Sequence, residues 1–144
     1  MKITIVKKYT DHLYDSVLRL LPQLVTEFKA PSEELVRKML SSDDIALFVA
    51  ETEAGEIAGI LTLVSYPNLS GVKAWIEDVV VDVSFRGQSI GEQLVSEALK
   101  YANGIGLKDV KLTSRSARVA ANKLYQKMGF IKYETNVYRH LLNN

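Results

Sequence analysis

The densest chemical signal in the chain is the run Ile76-Glu77-Asp78-Val79-Val80-Val81-Asp82-Val83-Ser84-Phe85-Arg86-Gly87-Gln88-Ser89-Ile90-Gly91. An apolar strand passes into a short loop, and the loop opens directly onto a helix. Free backbone N–H groups at a helix start, together with the positive end of its dipole, suit phosphate oxygens. Gly87 and Gly91 leave room for a diphosphate to approach the backbone, and Arg86 adds charge at the entrance. On spacing alone the same loop also reads as a tight β–α turn whose glycines serve geometry. Glu77 and Asp78 form a second feature. A carboxylate on an apolar strand is costly unless paired or used, and burial raises its pKa towards the range useful for taking a proton. Adjacent strand residues point to opposite faces, so at most one of the two is expected to face a bound group. A salt bridge or strand-end hydrogen bond is the competing role.

Other phosphate sites are excluded by the same segment. It has no Gly-Lys-Ser/Thr ending, so the nucleoside triphosphatase loop is absent. The dinucleotide Gly-x-Gly-x-x-Gly fingerprint is missing too, and three strands precede the unit where a repeated βαβ fold would open with it.

These residues must be positioned by a chain of 144 residues that is 47% hydrophobic, enough for one domain over residues 1–144. The 18 basic and 17 acidic residues leave a formal charge of +1. That balance gives no general attraction to nucleic acid or to an acidic membrane. With no cysteine, disulfides, thiolate metal sites and thiol nucleophiles drop out. His12 and His140 lie far apart, and no Asp/His/Glu spacing suggests a metal. No apolar run approaches the ~18 residues of a membrane span, and the opening alternation of Lys with Ile and Val is unlike a signal peptide. A soluble cytoplasmic protein is expected.

Periodicity supplies the elements. Ile3 and Ile5 mark a first strand. Leu13, Val17, Leu20, Leu21 and Leu24 share one face of a helix capped by Asp11, and Pro31-Ser32-Glu33-Glu34 starts a second helix through Met39. Ala46–Glu51 and Glu56–Ser65 read as a hairpin about Ala54-Gly55. Pro67-Asn68 and Ser70-Gly71 mark a turn before a long strand, Lys73–Val83. A helix follows from Ser89 to about Ala102, then a strand at Asp109–Thr113, a helix over Arg118–Met128 and a last strand at Ile131–Leu141. The order β-α-α-β-β-β-α-β-α-β predicts an α/β (α+β) fold, a mixed, mostly antiparallel sheet flanked by helices.

The hexapeptide Arg86-Gly87-Gln88-Ser89-Ile90-Gly91 resembles the Gln/Arg-x-x-Gly-x-Gly/Ala loop of the GNAT family of N-acetyltransferases. Ala121-Asn122-Lys123-Leu124-Tyr125-Gln126-Lys127-Met128-Gly129-Phe130 is similar to that family's second signature, a helix ending in Leu-Tyr-x-x-x-Gly-Phe. The separation of the two motifs and the element order also match, and the resemblance covers nearly the whole chain. The Glu77–Val81 run is similar to that of glucosamine-6-phosphate N-acetyltransferases. The resemblance implies an acetyl-CoA site without metal, its diphosphate on Arg86–Gly91 and its pantetheine paired with strand backbone at Val79, Val80 and Val81, where two parallel strands splay. One departure stands out: Ser89 replaces the family's first loop glycine. A position needing φ > 0 would strain a serine, whereas an ordinary first helical turn would accept it and offer its hydroxyl to a phosphate; the second is expected.

The implied reaction is direct transfer of acetyl from acetyl-CoA to a primary amine of a small molecule or peptide, since no thiol exists to carry an acyl-enzyme. Tyr125, at the family's tyrosine position, is the expected acid for the departing thiolate; core packing is its alternative. Glu77, Asp78 or water takes the amine's proton, with Glu77 favoured. Asn122 is expected to hydrogen-bond the pantetheine or phosphate arm, or else only solvent, while Arg115 and Arg118 are further candidates for phosphate contact. A non-catalytic acyl-CoA-binding module is the alternative function. Tyr133, Tyr138 and the terminal strand would suit pairing across a homodimer.

Overall fold

Alternating Ile and Val between polar residues gives the first strand, β1 (Lys2–Val6). The computed structural model describes residues 1–143, which fall into two units, Met1–Thr113 and a second that begins at Ser114. In the first unit β1 is followed by α1 (Asp11–Leu20), α2 (Glu33–Ser41), β2 (Ile45–Glu51), β3 (Ile57–Asn68), β4 (Gly71–Val81) and α3 (Ile90–Gly104). Thr10, not the expected Asp11, caps α1: its Oγ1 accepts the Leu13 N–H at 3.0 Å. Asp11 sits one residue later, where its charge favours the helix dipole. Leu21-Pro22-Gln23 tightens into a 3-10 turn after α1, so Leu24 lies beyond the helix it was expected to share. Ser32 caps α2 through the Leu35 N–H.

The four strands are antiparallel in the order β1-β2-β3-β4. Both faces of this sheet are covered, which explains why β2 and β3 read as continuous apolar runs. Leu47, Val49, Ile57, Ile60 and Val80 cluster with Leu13, Val17 and Leu20 of α1 and Val36 and Leu40 of α2. On the other face Phe48 meets Tyr101 of α3 edge to face, with ring centroids 5.8 Å apart. Gly59 marks the tightest contact. A Cβ there would lie 3.1 Å from Leu94 Cδ1, 3.1 Å from Val80 O and 3.4 Å from Ile90 Cγ2, so the bare backbone lets α3 lie close on β3.

The expected strand at Asp109–Thr113 reduces to one parallel bridge, Lys111 to Trp75. Two bonds make it: Ile76 N–H to Lys111 O at 2.8 Å and Lys111 N–H to Ala74 O at 3.0 Å. The sheet is thus mostly antiparallel, with a parallel element of this single bridge. In the second unit α4 (Val119–Lys127) forms as expected and closes with Phe130 N–H on Tyr125 O at 3.0 Å. The strand expected at Ile131–Leu141 is absent among the described residues. Its side chains are exposed, and alternation without a ladder partner does not make a strand.

Candidate active site

β4 changes phase in the middle of the candidate segment. Thr62 pairs with Glu77 and Ile60 with Val80, so two residues of β3 advance while three of β4 do. The extra residue makes a bulge, and Asp78 takes it up in the left-handed region at φ 52°. Two consequences follow. Strict alternation fails at the bulge, and both Glu77 and Asp78 are exposed. Glu77, opposite Thr62, shares the face of Ile60 and Val80, the face covered further along by α1 and α2.

The second consequence concerns the backbone. Before the bulge, Ile76 turns its N–H away from β3, to Lys111. After it, Asp82 N–H bonds Ala58 O on β3 at 2.8 Å, so the antiparallel pattern turns Val80 towards Ile60 and turns Val79 and Val81 outward. Arg86 Nε reaches Val81 O on that outer side, at 3.4 Å. Val79 and Val81 therefore present N–H and C=O groups beyond the point where the parallel bridge ends. Val80 does not belong with them: its side chain is in the core and its backbone faces β3. An extended ligand bearing amides could add to this edge as a strand does.

The loop beyond is open to solvent. Arg86, Gly87, Gln88 and Ser89 are exposed, and Ile90, first residue of α3, is buried. Gly87 has φ 82°. Ser89 is the residue before the helix at φ 60°, ψ 24°, and its hydroxyl makes no capping bond. The expectation of an ordinary helical turn is thus corrected: the position has the left-handed geometry that suits glycine, and serine carries a strain of roughly 1–2 kcal/mol there. The first N–H groups of α3 carry no side-chain cap and could take an anion.

Charge follows burial at the carboxylates. The apolar strand withholds water from both, although each still reaches solvent. Glu77 is pushed above the usual carboxylate range by burial and then by the Asp78 charge; Asp78 is pushed up by burial. In the second unit Tyr125 is buried at 6% exposure and stacks edge to face on Phe130 at 5.9 Å. Burial pushes its phenol above the ordinary value, against a smaller opposite pull from Arg118, so it stays protonated near neutrality. Asn122 donates its amide to Arg115 O and Arg118 O, both at 2.8 Å. Those N–H groups brace the turn before α4 and leave the Asn122 oxygen for any other contact. No group of three or more metal-ligating side chains occurs among the described residues, nor any helix long and apolar enough to cross a membrane.

Arg19, Gln23 and Asp82 escaped the sequence reading. Asp82, 5% exposed, pairs with Arg19 of α1 at the end of β4. Sequence shows three polar residues without showing that they meet.

The model of the acetyltransferase (GNAT) family matches residues 12–130. This chain belongs to the GNAT family. Among similar proteins, "N-acetyltransferase family 8 member 3" of Rattus norvegicus is 33% identical over 101 residues, 69% of this chain and 44% of that protein. The chain thus spans less than half of that relative. Glucosamine 6-phosphate N-acetyltransferase 1 of Oryza sativa subsp. japonica is 30% identical over 115 residues, 77% of this chain and 67% of that protein. A solved structure from Agrobacterium tumefaciens superposes with TM-score 0.84 over 98% of this chain and all of its own, at 24% identity, and establishes the shared GNAT fold.

Proposed function

We propose that this chain, as one N-acetyltransferase domain over residues 1–144, moves an acetyl group from acetyl-CoA to a primary amine of a small molecule or peptide. The observation that carries the proposal is the pairing of an outward-turned backbone edge at Val79 and Val81, where Val81 O takes Arg86 Nε, with an uncapped helix start at Ser89–Gly91. The edge would take the two amides of pantetheine, and the loop would take the diphosphate, with Arg86, Gly87, Gln88, Ile90 and Gly91 around it. Family membership over residues 12–130 supports the choice of ligand. The rice relative acts on glucosamine 6-phosphate, a small amine, and supports that class of acceptor.

In this reading the amine nitrogen attacks the thioester carbonyl carbon and the C–S bond then breaks. The proton lost by nitrogen goes to Glu77 or Asp78, directly or through water. Tyr125 gives a proton to the departing sulfur, so the products are an amide and CoA thiol. The raised pKa values fit these assignments in direction: a carboxylate of higher pKa is a better base, and a protonated phenol is the form that donates. Titration with acetyl-CoA by calorimetry tests the ligand; absence of heat at high micromolar ligand ends the proposal. Release of CoA thiol with a panel of amines then tests catalysis. Binding without thiol release on any amine would leave only an acyl-CoA-binding module.

A further inference from the structure

The diphosphate loop begins where β4 stops, and Asp82 makes that stop. Its N–H bonds Ala58 O at 2.8 Å, its C=O accepts Phe85 N–H at 2.9 Å, and its Oδ1 accepts Ser84 N–H at 2.9 Å. The remaining oxygen, Oδ2, takes Arg19 Nη1. Arg19 also donates Nη2 to Ile57 O at 2.7 Å, fixing the guanidinium against β3. One turn further on, Gln23 Oε1 accepts Val83 N–H at 2.9 Å, while Gln23 Nε2 donates to Arg19 O at 3.3 Å. The short 3-10 turn Val83–Phe85 that leads into Arg86 is therefore held by two side chains from α1 and the turn after it.

We infer that Arg19, acting through Asp82 and seconded by Gln23, is a positioning residue for the diphosphate of acetyl-CoA. Residues 86–89 are exposed and two of them, Gly87 and Ser89, stand in left-handed backbone, so the loop carries little packing of its own. Its direction is set at one end by α3, which Ile90 anchors in the core, and at the other by the 3-10 turn. Without Arg19, the nearly buried Asp82 carboxylate loses its counter-charge and must reach for water, which releases the Ser84 cap. A loop that has to be ordered by its ligand binds that ligand more weakly than one ordered beforehand. The ionic bond reaches 63 residues along the chain, which is why local pattern gives no hint of it.

This inference rests on the acetyl-CoA reading above, and the test separates the two. Acetyl-pantetheine has the thioester and amide arm of acetyl-CoA and lacks the diphosphate. In Arg19→Gln, affinity and KM for acetyl-CoA should worsen about tenfold, with values for acetyl-pantetheine nearly unchanged. Arg19→Lys, which keeps the charge, should recover part of the loss. Unchanged acetyl-CoA affinity overturns the inference, and so does an equal loss for both thioesters, which marks general loosening. If Arg19→Gln fails to fold, Gln23→Ala serves, with a loss of about threefold expected for acetyl-CoA alone and no loss overturning the inference. A wild-type chain that binds no acetyl-CoA overturns the functional reading instead. Amide exchange over Ser84–Ser89 then reads the tether: faster exchange in Arg19→Gln supports it, and unchanged exchange refutes it.

Discussion

The β4–α3 segment and the α4 helix carry the two motifs that resemble the GNAT signatures, and they do so by opposite means. Between Asp78 and Ser89 the proposed site is built from backbone. Three residues there, Asp78, Gly87 and Ser89, are left-handed, and the groups on offer are N–H and C=O. In α4 the proposed contribution is a single side chain: Tyr125 is buried on a helix of nine residues, packed on Phe130 five positions on. A backbone site depends on whatever fixes the chain direction, which here means Thr62, Gly59, Arg19 and Gln23, all distant in sequence. A side-chain site depends on the helix that presents it. The first region should therefore respond to changes far from it, and the second to changes within it.

The largest effect is expected from the side-chain site. Tyr125→Phe removes one oxygen and preserves the ring contact with Phe130, so kcat should fall about a hundredfold while acetyl-CoA affinity holds. An unchanged kcat would return Tyr125 to core packing and erase the contrast between the regions. Next comes a remote change aimed at the backbone site. Gly59→Ala presses a methyl group against Val80 O, which is backbone and cannot turn aside, and against Leu94 and Ile90. The expected cost is about 2 kcal/mol in denaturant unfolding, with weaker acetyl-CoA binding because α3 carries the loop. A variant as stable as wild type would show that α3 can shift without consequence.

The distinction also explains what could be read from sequence. Helix period and the Arg86–Gly91 and Tyr125–Phe130 motifs are local, and the helices that carry them stand where pattern puts them. The family resemblance implied Val79, Val80 and Val81 together as one rail. Only the register, Glu77 on Thr62 and Val80 on Ile60, reveals the bulge that separates Val80 from the other two. Ser89 was misjudged for a related reason: serine is common at helix starts, but backbone angles there are set by the entry of the loop. Ile131–Leu141 failed differently. Its alternation is compatible with a strand, and strand formation also requires a neighbour that periodicity does not specify.

Glu77→Gln sharpens the comparison from the bulge outward. The raised carboxylate holds its proton to higher pH than an ordinary one. The base form therefore accumulates as pH rises through that raised value, and the rate falls as pH drops below it. In Glu77→Gln, kcat/KM should fall about tenfold and the acid limb of its pH profile should flatten. If Asp78→Asn flattens that limb and Glu77→Gln leaves it, the assignments exchange. If neither does, water takes the proton and the bulge serves only to turn the backbone.

The smallest effect tests the backbone site within itself. At φ 60° a serine at position 89 is strained by roughly 1–2 kcal/mol relative to glycine. Ser89→Gly relieves that strain, but it also gives the unfolded chain more freedom, worth about 0.5–1 kcal/mol in the opposite sense. Relief outweighs freedom by a small margin, so the variant should be more stable by about 0.5 kcal/mol in denaturant unfolding. Acetyl-CoA binding then decides what the serine does. Affinity at or above wild type means the amides of the α3 start do the binding and the hydroxyl is a bystander in a glycine's place. A loss of about tenfold would mean the hydroxyl bonds a phosphate directly. Side-chain chemistry would then operate inside the backbone site, and the division between the two regions would have to be redrawn there.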